Sequence, residues 1–197
     1  MPRGRPRSEE SRRAILAAAD ELLLRQGLDE TSMDAVAEHA GASKATIYRW
    51  WASKELLALD ALVISLEDAL ARVREDTGTL RGDLRAILRP VVRQLSNRAY
   101  ARVVAALIAE AHRDAAFAEA WEERYFGARS RHPKSAFRRA IERGEIPAKT
   151  DVDLAVDMIF GPLYHRLLHG HAPVNQRVAY QLVDNVLMVV AGSNRSA

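Results

Sequence analysis

The sequence predicts an all-α protein. Ala, Leu, Arg, Glu and Val dominate it, Thr and Ile are sparse, and its 10 glycines and 7 prolines are scattered. Straight-chain residues lose little rotamer freedom in a helix, whereas β-branched ones favour strands. Apolar residues also recur three and four apart in segment after segment, as on one face of a helix. At 197 residues the chain can carry a small module beside a larger domain, since ordinary domains run to about 100–200 residues; two unequal units are expected.

Ser8 is a natural N-cap, and Glu9 and Glu10 suit a first turn. The helix they open places Ile15, Leu16, Ala19, Leu22 and Leu23 on one face and closes at Gly27. A second, short helix starts at Thr31 or Ser32, buries Met33, Val36, Ala37 and Ala40, and stops at Gly41. A third begins at Ser43; in it Ile47 and Trp51 point inward, while Lys44, Ala45, Tyr48 and Arg49 point elsewhere. Ser53 caps a long fourth helix through Leu56, Leu57, Leu62, Leu66, Leu70 and Val73, which ends at the "EDTGT" break of residues 75–79. Further helices are drawn at 80–96, 98–112, 114–143, 151–169 and 175–191, about nine in total. Pro90, Pro133 and Pro162 interrupt helical patterns, so kinks or local breaks are expected there.

Composition narrows the function. With no cysteine there is neither a disulfide framework nor a thiolate metal site. No run approaches the roughly 18 apolar residues of a membrane span, and the Arg-rich N-terminus lacks the apolar stretch of a signal peptide. A cytoplasmic protein is expected. A net charge of +3 by itself names no partner; its placement says more.

The stretch "AGASKATIYRWWASKE", residues 40–55, puts Lys44, Arg49 and Lys54 among small and aromatic residues with no acid between Glu38 and Glu55. Lys44 and Lys54 fall in the first turns of two successive helices, where a cation opposes the macrodipole by some tenths of a kcal/mol, about 0.3–1. A phosphate opposite them reverses that sign, because exposed first-turn N–H groups attract it too. Two short helices about a tight turn match the helix-turn-helix pattern, whose second helix reads bases through its N-terminal residues. A solvated basic corner is the alternative.

The stretch "AILAAADELLLRQGLDETSMDAVAEHAGASKATIYRWWASKELL" resembles the DNA-binding domain of the tetracycline-repressor (TetR) family, across about residues 9–60. The resemblance implies a homodimeric transcriptional regulator, usually a repressor, with a three-helix head at 9–60 (helix-turn-helix 32–51) and a larger helical ligand-binding and dimerisation domain at 61–197. It assigns Ser43, Lys44, Ala45, Thr46 and Tyr48 to the groove-facing helix, Tyr48 also touching phosphate. Lys54 corresponds to a phosphate-gripping lysine, Ser32 to a hydroxyl capping the second helix near the backbone, and Trp51 to the aromatic that anchors the turn. Trp50 lies where family members approach phosphate, and Arg49 at a variable position open to base or phosphate. Tyr48 and Trp50 could instead be core aromatics.

"RGRPR", with Arg3 and Arg5, has the composition of a minor-groove arm over residues 1–8, and equally of a disordered basic tail. By resemblance the last two helices pair with their copies in a dimer, with Leu154, Met158, Leu163, Leu167, Val178, Leu182, Val186 and Val189 on the apolar faces; closing a monomer's own core is the alternative. Leu88, Val92, Tyr100, Val104, Leu107, Trp121, Tyr125, Phe126, Ile159 and Tyr164 fit a cavity for a small, largely apolar effector, and equally an ordinary core. His165 and His169 could share a metal but lack an accompanying carboxylate motif, so surface or interface histidines are expected and no metal or cofactor is assigned.

The function expected is a repressor on a near-palindromic operator, released by its effector. Rival readings are a ligand-independent helical DNA-binding or adaptor protein, and an all-helical enzyme, for which no nucleophile–base pair or paired carboxylates stand out.

Overall fold

The computed structural model describes residues 5–74 and 76–192. Among them there are helices and connecting turns and no strand. The head is built from α1 (Arg5–Gln26), α2 (Met33–His39), α3 (Lys44–Trp50) and the start of α4 (Lys54–Leu70). Then come α5 (Leu80–Leu95), α6 (Arg98–Ala111), α7 (Ala115–Ala120), a π-helical turn (Trp121–Phe126), α8 (Gly127–Glu142), α9 (Val152–His169) and α10 (Gln176–Gly192).

Helix starts are set by side chains that accept first-turn N–H groups. Ser32, Ser43 and Thr79 do so for α2, α3 and α5, and Asp114 and Asp151 for α7 and α9. The α2–α3 turn needs a left-handed residue, and Gly41 supplies it at φ 63°.

Several boundaries depart from expectation. α1 begins at Arg5 rather than after Ser8, with Pro6 in its first turn, where the missing N–H has no intrahelical partner to lose. α4 stops at Leu70 rather than Val73. Pro90, Pro133 and Pro162 lie inside α5, α8 and α9, and none ends its helix. The π turn was not foreseen.

The chain forms two compact units. One holds the residues up to Glu67 together with Arg98–Phe126; the other holds Asp68–Asn97 and the residues from Gly127 onward. This differs from a division at 60/61 because α6 packs against α1. In the first unit, Ile15, Leu16, Leu23, Val36, Ile47 and Trp51 are buried, with Tyr100, Val104 and Leu107 of α6. In the second, α5 packs against α8 and α10, and α9 against α8 and α10. There the fully buried Asp83 accepts from the Thr77 N–H and hydroxyl at 2.6 and 2.7 Å and from Arg139 at 3.2 Å. Glu145 accepts the Leu80 N–H, supplying an acceptor to the start of α5 from 65 residues away.

The ten residues considered for an effector cavity divide between the units. Tyr100, Val104, Leu107 and Tyr125 are buried in the first; Leu88, Val92 and Ile159 are buried in the second. Three are not interior as expected: Trp121 is half-buried and stacked on Tyr125 at 4.4 Å, Phe126 is exposed, and Tyr164 is half-buried 5.2 Å from the Arg129 guanidinium.

The expected dimer face also changes. Leu163 and Val186 are buried within this chain's own core, so they present nothing to a second copy. Met158, Leu167, Val178 and Leu182 are half-buried. Among the described residues, the large exposed apolar side chains of α9 and α10 are Leu154, Leu168, Met188 and Val189. His165, His169 and His171 are exposed and gather with ring centroids 4.5–6.4 Å apart. Among the described residues no group of three or more His, Cys, Asp or Glu could hold a metal ion.

Candidate nucleic-acid interface

α3 is held by its inner side and offers its outer one. Ile47 is fully buried and Trp51, the C-cap, is 2% exposed, whereas Lys44, Ala45, Tyr48 and Arg49 are exposed. The Ser43 hydroxyl accepts from the Thr46 N–H at 3.2 Å and lies 2.8 Å from the Thr46 hydroxyl, so the first turn is closed by its own side chains. Such a helix is fixed in orientation while its outer side stays exposed to meet a groove.

Ser32, Tyr48 and Lys54 come together around one open depression of about 410 Å³, which also includes Asp29, Asp34 and Ser53. Two capped helix starts, those of α2 and α4, border it. Exposed first-turn N–H groups give such a concavity an affinity for phosphate.

The two first-turn ammonium groups already have acceptors within the head, and this corrects the reading of them as cations awaiting a phosphate. Lys44 Nζ donates to Asp34 Oδ2 at 2.6 Å, across the helix-turn-helix, and that carboxylate raises the Lys44 ammonium above its ordinary value by hydrogen bonding and by charge. Lys54 Nζ donates to the Leu28 and Asp29 carbonyl oxygens at 3.1 and 3.3 Å. An ammonium has three donors, so Lys54 keeps one for a further acceptor. The lysines therefore have local electrostatic reasons to be where they are, independent of any nucleic acid.

Trp50, 37% exposed, is not a core aromatic. Its ring lies 6.0 Å from the Arg12 guanidinium and 5.9 Å from that of Arg49, two cation–π contacts that keep an indole at the surface beside positive charge. Tyr48 is 54% exposed. Of the expected N-terminal arm, Arg5 opens α1 and Arg3 lies outside the described residues.

Sequence reasoning missed Asp60. Its mostly buried carboxylate accepts from Trp51 Nε1 at 2.9 Å, Arg12 at 3.3 Å and Arg124 at 2.9 Å. Arg12, on α1, thus serves the interior of the head. A lone acid in the apolar run "LLALDALV", residues 56–63, was the available signal, since a carboxylate among buried leucines needs paired donors.

A capped, half-exposed second helix behind a glycine turn, with two further helix starts beside it, defines a helix-turn-helix DNA-binding head. The chain belongs to the TetR family of bacterial transcriptional regulators: residues 15–61 match the model described as bacterial regulatory proteins, tetR family, and residues 74–186 that of the tetracyclin repressor-like C-terminal domain. It is 34% identical over 192 residues to the HTH-type transcriptional regulator YdeS of Bacillus subtilis (strain 168), covering 98% of this chain and 96% of that one. It is 37% identical over 195 residues to the DNA-binding transcriptional repressor TetR of Mycobacteroides abscessus, covering 93% and 95%. Among solved structures it is similar to the TetR family transcription regulator SCO0332, with TM-score 0.81 and 38% identity over 91% of this chain and 97% of that one.

Proposed function

We propose that the protein is a repressor that binds a near-palindromic operator as a homodimer, α3 entering the major groove. The observation that carries this reading is the grouping of Ser32, Tyr48 and Lys54 around one depression beside the exposed side of α3. In it Lys44, Ala45, Thr46 and Arg49 weigh on sequence choice. Ser32, Ser43, Tyr48, Trp50 and Lys54 contribute to backbone affinity, and Arg3 and Arg5 extend the footprint into a flanking minor groove. The relative in Mycobacteroides abscessus is a repressor, which favours that direction of control.

Two heads on successive major grooves need a spacing of about 34–36 Å, which a two-fold dimer provides. Support for dimerisation comes from Leu154 and Val189, exposed apolar residues bordering an open depression of about 300 Å³ on the second unit, with Met188 exposed in the next position. Contiguous exposed apolar surface of this kind marks an interaction site. Location in the cytoplasm follows from a DNA target, and no helix among the described residues is long and apolar enough to cross a membrane.

Selection of bound fragments from genomic DNA at moderate salt tests the proposal: a near-palindrome should be enriched. A featureless pool would refute the operator, and sedimentation as a monomer at micromolar concentration would refute the dimer. A small, largely apolar effector that releases the operator completes the proposal, and a stabilising hit in a thermal screen of such compounds should also dissociate the complex. The burial of Val104 and Leu107 in the first unit, and of Leu88, Val92 and Ile159 in the second, favours a second reading for this part alone, a regulator that answers to no small molecule.

A further inference from the structure

Three elements of the first unit meet on the Asp60 carboxylate of α4. Oδ2 accepts from Trp51 Nε1 at 2.9 Å, the indole that ends α3, and from Arg12 of α1 at 3.3 Å. Oδ1 accepts from Arg124 of the π turn at 2.9 Å. The side chain of Asp60 is 14% exposed and that of Arg124 is 45% exposed. A carboxylate this withdrawn from water depends on its donors for solvation, and each bond constrains where the next can form. Trp51 is 2% exposed and its N–H donates to the Ile47 carbonyl. Its ring is therefore a rigid continuation of α3, and the direction of its Nε1–H is set by the position of Asp60.

The far end of this chain of contacts is unusual. π-helical turns are rare and concentrate at functional positions. This one holds Tyr125 buried and the half-buried Trp121 stacked on it at 4.4 Å, leaving Arg124 directed toward α4. Rewinding the π turn to an α-helical one changes the angular position of the residues within it and moves those beyond it by about 100° around the axis, which would alter the reach of Arg124, inside the turn, to Asp60.

We propose that Arg124 is a positioning residue for DNA binding: through Asp60 and Trp51 it couples the winding of the π turn to the placement of α3. The proposal rests on α3 being the DNA-reading helix. Because Arg12 and Trp51 still hold Asp60 when Arg124 is replaced, the head stays folded and only its definition suffers.

The test compares full-length wild type with Arg124→Gln, Arg124→Lys, Asp60→Asn and the double variant Arg124→Gln/Asp60→Asn. Operator affinity, its salt dependence and the Trp51 indole N–H resonance are measured for each. Arg124→Gln should weaken operator binding about 3- to 30-fold, as mutations along coupled networks do. It should shift the indole resonance and leave the salt slope unchanged, since the residue touches no phosphate. Arg124→Lys should recover part of both effects, and the double variant should bind no worse than Asp60→Asn alone. Equal affinity of Arg124→Gln and wild type, additive losses in the double variant, or a shallower salt slope would each overturn the coupling. If the wild type binds no duplex at low salt, it is the reading of α3 that fails. The indole resonance still decides the coupling then, an unmoved signal in Arg124→Gln refuting it.

Discussion

Replacing Asp34 by asparagine should tighten DNA binding and make it more sensitive to salt. In the folded head the Lys44 ammonium lies 2.6 Å from the Asp34 carboxylate, and the side chains are 64% and 58% exposed. An approaching phosphate meets a neutral pair at that place rather than a cation. A pair so exposed contributes little to stability, so its removal should leave the fold intact; the acid's favourable place in the first turn of α2 is lost, at about 0.3–1 kcal/mol. Each ammonium newly committed to a phosphate releases about 0.9 counterion, so between about 50 and about 200 mM salt one contact per head steepens the loss of affinity about 3.5-fold, and two heads about 12-fold. Fluorescence anisotropy of a labelled operator across that range measures both slope and affinity. Lys44→Gln should leave the salt slope of the wild type unchanged and cancel the steepening in the Asp34→Asn background. Identical slopes for wild type and Asp34→Asn would refute the argument, showing that the carboxylate does not restrain Lys44 on DNA.

Three further outcomes follow from other contacts. Lys54→Met keeps the aliphatic stem but removes the donor to the Leu28 and Asp29 carbonyls. It should cost about 1–3 kcal/mol in denaturant unfolding of the free protein, and an unchanged midpoint would mean that the lysine serves DNA alone. Trp51→Phe removes the bond to Asp60 while retaining most of the buried ring. A hydrogen bond to a charged acceptor predicts a loss of about 1.5–3 kcal/mol, and a loss below 0.5, taken as roughly the noise level for surface changes, would contradict it. Asp20 is held above its ordinary value of 3.8, first by burial and then by the charge of Glu21, and among the described residues its Oδ1 has no hydrogen-bond partner. The native state therefore keeps this proton to higher pH than the unfolded state does. Ionisation costs stability above the raised value, and the cost vanishes below 3.8. Asp20→Asn should raise the melting temperature at pH 7 by an amount that shrinks as pH falls toward 4, and a pH-independent difference would exclude this cause.

What the sequence made legible is what is decided within a few residues. Ser32, Ser43 and Asp151 cap their helices because a cap and the N–H that donates to it lie three positions apart, and Gly41 marks its turn because only backbone freedom is required there. The π turn escaped because one extra residue in a single turn barely disturbs an apolar pattern read over a dozen. For Leu163 and Val186, both buried within this chain, the choice between a dimer face and the chain's own core stayed open for a related reason: periodicity shows that a face is apolar, not whether the same chain or another covers it.

The cations at two helix starts have the same origin. Considered with its own helix alone, Lys54 opposes the dipole of α4. In the fold it donates to the Leu28 and Asp29 carbonyls, which come just past the end of α1, the negative end of that helix's dipole. One ammonium is therefore disfavoured by the helix it begins and favoured by the helix whose end it meets, 25 or 26 residues earlier in the chain. Lys44 is balanced likewise by Asp34, on α2. Neither charge then requires DNA for its existence. What DNA binding requires is that these acceptors be weak enough to yield or share their lysines. Two neutral carbonyls meet that condition for Lys54, whereas the Asp34 carboxylate holds Lys44 back; a buried carboxylate such as Asp60 would not yield its donors, and its partners Arg12 and Trp51 are accordingly residues that position α3.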